Sequence, residues 1–361
     1  MKKNIAILKG DGIGPEVTEQ AIKALNAIAE VYGHKFNYTE GLIGAIAIDA
    51  TGNPFPEETF KVCQEADAIL FGAIGHPKYD NDPSAKVRPE QGLLKMRKDL
   101  GLFCNIRPIN TYKVLANSSP LRADLVEGVD FTVFRELTGG IYFGEKGRKD
   151  GGNTAFDNCQ YTREEISRVC ILAFESARIR RKKLTLVDKA NVLETSRLWR
   201  EVVKELAVKY ADIAVDYMFV DNAAMKIIQN PKYFDVIVTE NMFGDIITDE
   251  ASVITGSLGM LPSASIGSKV GLYEPIHGSY PEATGLNIAN PNGSILSAAM
   301  LLEMSFGLIE EAALIRKAVE DCLNSGVVTS DIIKGSKYTT TQIGDKVAEL
   351  IKTKKKELLA M

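Results

Sequence analysis

"KGDGIGPEV", residues 9–17, follows the apolar run Ile5-Ala6-Ile7-Leu8 and precedes a helix-periodic stretch from Val17 to Val31. A strand, a glycine turn and a helix in that order form the setting of a phosphate-binding loop. Whether this loop holds a dinucleotide decides between a Rossmann fold and another architecture. Two features count against it. The fingerprint G-x-G-x-x-G asks for Gly or Ala at position 15, where Pro15 stands; proline suits a helix start, where a missing N–H is no loss. A pyrophosphate would lie on the first N–H groups of the helix, yet Asp11 and Glu16 already bring carboxylates there. These acids answer the positive end of the helix dipole and repel a second anion. The residues therefore read as a tight turn capped by its own acids, with any dinucleotide bound further along.

The chain has 361 residues, longer than one hydrophobic core supports, so two domains are expected. A hydrophobic content of 45% and a charged content of 25% are those of a soluble globular protein. A net charge of -4 argues against a general nucleic-acid binder, and the basic run Lys352 to Lys356 reads as a solvated helix end. Cys63, Cys104, Cys159, Cys170 and Cys322 form no C-x-x-C pair, which fits a reducing compartment and gives no zinc signature. Met1-Lys2-Lys3-Asn4 leads directly into a strand, and no apolar run reaches membrane-span length, so a cytoplasmic protein is expected, with neither membrane nor nucleic acid as a partner. With only His34, His76 and His277 present, proton transfer would fall to Lys, Tyr or carboxylates.

Strand-like runs at 5–8, 68–72, 130–135, 183–188, 214–220 and 236–240 alternate with helical periods at 57–65, 92–100, 163–178, 195–210 and 245–255. This alternation predicts an α/β architecture. From Ser294 on the chain reads as helix, loop and helix without strands. The most loop-like long stretch is Gly144 to Tyr161.

Asp245 and Asp249 in "ENMFGDIITDE" lie four apart at a predicted helix start, on one face. Like charges so placed destabilise a helix unless a cation joins them, and oxygen donors suit magnesium or manganese. Alone, the pair reads rather as a solvated acidic face. Asp221 in "FVDNAAM" is a third acid past a strand end. Arg97, Arg107 and Arg135 stand in "LLKMRKDL", "CNIRPIN" and "TVFRELTGG"; their planar forks suit carboxylates, whether of a ligand or of the protein. Lys189 ends an apolar strand, a setting in which burial can make a lysine a base. Tyr142 follows two glycines in "GGIYFGE". "LYEPIHGSYPEATGLNIANPNGSILSAAMLLE", 272–303, reads as a long Gly/Pro/Asn loop before an apolar helix. Its Gly278 and Ser279 amides have no adjacent acids, and Glu282 can accept from a ribose diol. This loop is the better candidate for the dinucleotide.

Together with "RPEQGLLKMR", "VDKANVLETS" and "GSLGMLPSAS", these motifs stand in order along most of the chain. In that order the sequence resembles the β-decarboxylating dehydrogenases, the isocitrate/isopropylmalate dehydrogenase family. The resemblance implies a two-domain α/β fold sharing a large mixed sheet and distinct from the Rossmann fold. Residues 1–102 and 256–361 would form a discontinuous cofactor-binding domain. Residues 103–255 would form a central domain with the dimer interface and the metal and catalytic residues. It implies NAD-dependent oxidative decarboxylation of 3-isopropylmalate to 4-methyl-2-oxopentanoate, as in leucine biosynthesis. Neighbouring activities on isocitrate, homoisocitrate or tartrate stay open, as does a non-catalytic regulatory role.

Residue by residue, the resemblance gives Tyr142 and Lys189 as the catalytic pair. Arg97, Arg107 and Arg135 would bind malate carboxylates, and Asp221, Asp245 and Asp249 Mg2+ or Mn2+. Glu90, Leu93 and Leu94 would surround the substrate side chain and nicotinamide. Ile13, Gly278, Ser279, Glu282 and Asn290 would contact NAD. Glu282 stands where NAD-specific members usually carry Asp. Lys189 and Asp221 would reach the site of the other subunit, making a homodimer the smallest working unit.

Overall fold

The computed structural model describes residues 1–81 and 85–360. It divides into two compact units, Met1–Leu100 with Ser257–Met361, and Gly101–Gly256.

In the first unit five strands run in the order Lys35–Glu40, Lys2–Gly10, Ala68–Ala73, Gly271–Pro275, Pro262–Gly267. All neighbours are parallel except the last pair. Every residue of Ala68–Ala73 is buried, which is why a central parallel strand reads as an unbroken apolar run. Gly271–Pro275 corrects the long-loop reading of 272–303: its five residues are all buried in the sheet before the loop begins. Lys35–Glu40 is the opposite case, an edge strand with no buried residue, whose only apolar signal is Phe36 and Tyr38. Helix Asn292–Phe306 is buried at all positions except Glu303, Met304 and Ser305. It packs between that sheet and the helices Gly14–Tyr32 and Ile309–Asn324. Residues beyond Ser294 form helices without strands among the described residues.

The opening loop differs in one respect from its reading. Asp11 does not cap the helix Gly14–Tyr32 that follows it. Its carboxylate accepts from the N–H groups of Ala45 and Ile46, at the start of helix Ala45–Thr51, and of Gly75, at 2.9, 3.1 and 3.0 Å. One acid thus pins three chain segments. Burial pushes its carboxyl above the ordinary range, against the three N–H groups that pull it down. Gly12 is held at φ +59 with the Ser279 carbonyl 2.0 Å from where a Cβ would stand, so only glycine fits there.

The second unit carries Leu102–Asn110, Asp130–Glu136, Val236–Thr239, Lys183–Asp188 and Ala214–Phe219 in that order, the first pair antiparallel and the others parallel. Arg107 and Pro108 interrupt the apolar pattern of Leu102–Asn110, and proline donates no ladder hydrogen bond, so this strand was not visible as a run. The Gly144–Tyr161 stretch is also corrected. It holds a two-stranded hairpin, Lys146–Lys149 with Thr154–Asp157, whose strands are almost wholly exposed and so lack apolar alternation. No helix among the described residues is long and apolar enough to cross a membrane.

Candidate active site

Strand register assembles a cluster in the second unit. Arg135 lies opposite Asn105 on the antiparallel neighbour and opposite Thr239 on the parallel one. Arg107, two residues beyond Asn105, projects from the same face, and its Nε donates to Asn105 Oδ1 at 2.8 Å. Helix Asn241–Ser252 starts immediately after Val236–Thr239, so Asp245 and Asp249 fall one turn apart above these arginines. They stand inside that helix rather than at its start, because Glu240 already caps it: the Glu240 side chain accepts from Phe243 N–H at 2.7 Å.

Arg135 Nη1 donates to Asp245 Oδ1. Arg107 Nη1 donates to Asp249 Oδ1 at 3.1 Å and to Thr248 Oγ1 at 2.7 Å, with its Nη2 3.9 Å from Asp245. The Tyr142 hydroxyl donates to Asp245 Oδ2 at 2.8 Å. Although the side chain is 37% exposed, partial desolvation first, then the bond to this carboxylate, push its pKa up to about 12. Tyr142 therefore keeps its proton at neutral pH.

Lys189 and Asp221 form a second pair. Strands Lys183–Asp188 and Ala214–Phe219 run parallel with Asp188 opposite Phe219. The residues just past their ends meet, Lys189 Nζ donating to Asp221 Oδ1 at 2.6 Å. This bond holds the Asp221 carboxyl below the ordinary range. Among the described residues no group of three or more His, Cys, Asp or Glu side chains is set to hold a metal. Within one chain Asp221 goes to Lys189, apart from Asp245 and Asp249. The last two still suit a hard cation: both offer carboxylate oxygens from one helix face, and the Asp249 side chain is 70% exposed.

In the first unit, Glu90, Leu93, Leu94 and Arg97 fall on one face of helix Pro89–Asp99. Leu94 is exposed, and Arg97 Nη2 donates to Glu274 Oε1 at 3.1 Å. Glu274, an acid inside an apolar strand, escaped the sequence reading. Gly278 and Glu282 are exposed, whereas Ser279 is buried and its carbonyl accepts from Ile13 N–H at 2.8 Å. The Ile13 side chain packs inward with Val17, Ala283 and Ala289. Asn290 is also buried, its amide donating to Asp331 and its Oδ1 accepting from Asn292 N–H. The opening loop and the 276–282 loop are thus neighbours, joined backbone to backbone.

A family model described as isocitrate/isopropylmalate dehydrogenase matches residues 4–347. The chain belongs to this family. A 3-isopropylmalate dehydrogenase of Bacteroides fragilis is 58% identical over 354 residues, covering 98% of this chain and 99% of that protein. One of Aquifex aeolicus is 54% identical over 355 residues, 97% of each chain. The fold matches the isocitrate dehydrogenase of Methylococcus capsulatus with a TM-score of 0.87 at 31% identity, over 97% of this chain and 99% of that one. A β-decarboxylating dehydrogenase of Thermococcus kodakarensis gives 0.81 at 35%, over 99% and 98%. The α/β fold with mixed strand order is that of the family, and a Rossmann fold is excluded.

Proposed function

We propose that this chain catalyses NAD-dependent oxidative decarboxylation of 3-isopropylmalate to 4-methyl-2-oxopentanoate and carbon dioxide, a step of leucine biosynthesis, as a cytoplasmic homodimer. The observation that carries the reading is the cluster of Arg107, Arg135, Tyr142 and Asp245, distant in sequence and brought within bonding range. The names of the two relatives support the choice of substrate. Arg97, Arg107 and Arg135 bind the malate carboxylates. Leu93 and Leu94, flanked by Glu90, wall the branched alkyl group, and that acid repels a third carboxylate. Gly278, Ser279, Asn290 and the Ile13 loop hold NAD, with Glu282 on the ribose diol, where its charge disfavours a 2′-phosphate.

Lys189 takes the proton of the C2 hydroxyl, directly or through Asp221, 2.6 Å away, while the C2 hydride passes to NAD. The C3 carboxylate then leaves as carbon dioxide, and its bonding pair remains in the enolate. Tyr142, whose hydroxyl donates to Asp245 Oδ2 at 2.8 Å, delivers a proton to C3. Asp245 and Asp249, with Asp221 as third acid, would hold a Mg2+ or Mn2+ ion, which would supply Lewis-acid stabilisation of the developing negative charge. In the homodimer Lys189 and Asp221 serve the partner's site, which is how the three acids meet.

Metal removal tests this assignment. Exhaustive chelation should abolish turnover, and added Mg2+ or Mn2+ should restore it in the native enzyme but not in Asp245→Asn. Turnover that survives chelation, or a normal rate in Asp245→Asn, overturns the metal role.

A further inference from the structure

We infer that Asn241 is a positioning residue that sets the orientation of the Arg135 guanidinium and thereby its carboxylate-binding edge. The inference rests on the reading of Arg135 as a substrate ligand.

Arg135 is 4% exposed and is held at both ends. Its stem lies across Gly244, where a Cβ would come within 2.6 Å of Arg135 Cγ and 2.8 Å of its Cβ. Any larger residue at 244 would push the stem off the helix. At the fork, Nε and Nη2 both donate to Asn241 Oδ1, at 3.0 and 2.8 Å, while Nη1 goes to Asp245. One acceptor taking two N–H groups along a guanidinium edge fixes the rotation of that plane, which a single bond leaves free.

Asn241 is itself held. Its Nδ2 donates to the Gly139 carbonyl at 3.2 Å, and its backbone N–H donates to the Tyr161 hydroxyl at 3.0 Å. The Tyr161 hydroxyl donates in turn to Glu240 Oε2 at 3.3 Å. Asn241 has no exposed surface, and Glu240, not Asn241, caps the helix. A buried amide in the first turn of a helix is costly unless its hydrogen bonds are met, and those of this side chain go to Arg135 and to the turn before Tyr142. An alanine there would leave the helix cap intact and release the guanidinium edge. Asn241 touches no reacting atom in this scheme; it acts through Arg135.

A double-mutant cycle in the full-length enzyme tests the inference. Asn241→Ala should raise KM for 3-isopropylmalate about tenfold or more, since a misplacement near 1 Å has effects of that order or larger. KM for NAD should stay within about twofold, because only the malate carboxylates are affected. In an Arg135→Ala background the same substitution should change KM for 3-isopropylmalate less than about twofold, because the residue it acts through is gone. An equal penalty in both backgrounds makes Asn241 a general support of the fold and overturns the inference. So does an unchanged KM in Asn241→Ala. If that variant does not fold, Asn241→Ser, whose oxygen lies one bond nearer the backbone, is read by the same criteria. Failure of the underlying reading shows separately, as an Arg135→Ala enzyme whose KM is unchanged.

Discussion

Tyr142 is the residue whose surroundings constrain its chemistry most tightly. Its hydroxyl has one acceptor, Asp245, and a pKa pushed up to about 12 by partial desolvation and that carboxylate. It is protonated at neutral pH, and because the raised pKa makes it a weaker acid than a free tyrosine, the charge developing at C3 must draw the proton out. Tyr142→Phe removes the donated proton and leaves the ring, so kcat should fall by about 10²–10⁴, the usual range for losing an acid catalyst. Thermal stability should stay near that of the native enzyme. A kcat within a few-fold of native, measured as NADH formation under saturating substrates, would remove Tyr142 from the proton transfer. At this scale the charged residues were legible in the sequence, because an arginine ending an apolar strand or two acids one turn apart advertise a need for partners. Asn241 and Tyr161 were not. Their importance lies in what they hydrogen-bond, and strand register and a helix start create those contacts. The sequence makes Asp11 an acid at the start of its own helix, whereas a loop returning at residues 44–46 takes it instead.

Among the elements, buried parallel strands were the easiest to read and edge elements the hardest. Val236–Thr239 and Ala68–Ala73 are buried at every position, so burial on both faces writes itself as an apolar run. Lys35–Glu40 and the 146–157 hairpin have no buried residue in their strands, and Phe36, Tyr38 and Phe156 are too few to make an apolar run. Helix Asn292–Phe306 shows the other extreme. It is buried around nearly its whole circumference, so it has little polar side to present. Leu301 has no exposed surface there. Leu301→Ala should destabilise the enzyme by about 2–5 kcal/mol, the usual cost of emptying a leucine site in a core. The denaturant midpoint should shift accordingly at unchanged slope. A loss under about 1 kcal/mol would mean that neighbouring side chains close the cavity, and that the helix is less tightly packed than its burial implies.

For the whole molecule, the first compact unit is made of both chain ends, so no linker composition marks a division of the chain. The proposed homodimer is the larger consequence. Among the described residues Asp221 pairs with Lys189 and forms no group with Asp245 and Asp249, and the proposed homodimer would bring the three acids together. Lys189→Ala and Arg97→Ala chains should each be inactive alone. A mixed dimer should carry both lesions in one site and leave the other whole, so mixing with subunit exchange should restore activity. No recovery, once exchange has been demonstrated, would place each site within a single chain. The central claim is the reaction itself, and a comparison of NAD reduction with 3-isopropylmalate and with isocitrate, in the presence of Mg2+, tests it most directly. Binding isocitrate would bury a third carboxylate against Leu93 and Leu94 beside Glu90, a cost of several kcal/mol without a partner. The account predicts kcat/KM for 3-isopropylmalate at least about a hundredfold higher, since each 1.4 kcal/mol is tenfold, with one carbon dioxide released per NADH. Comparable or better efficiency on isocitrate would contradict it.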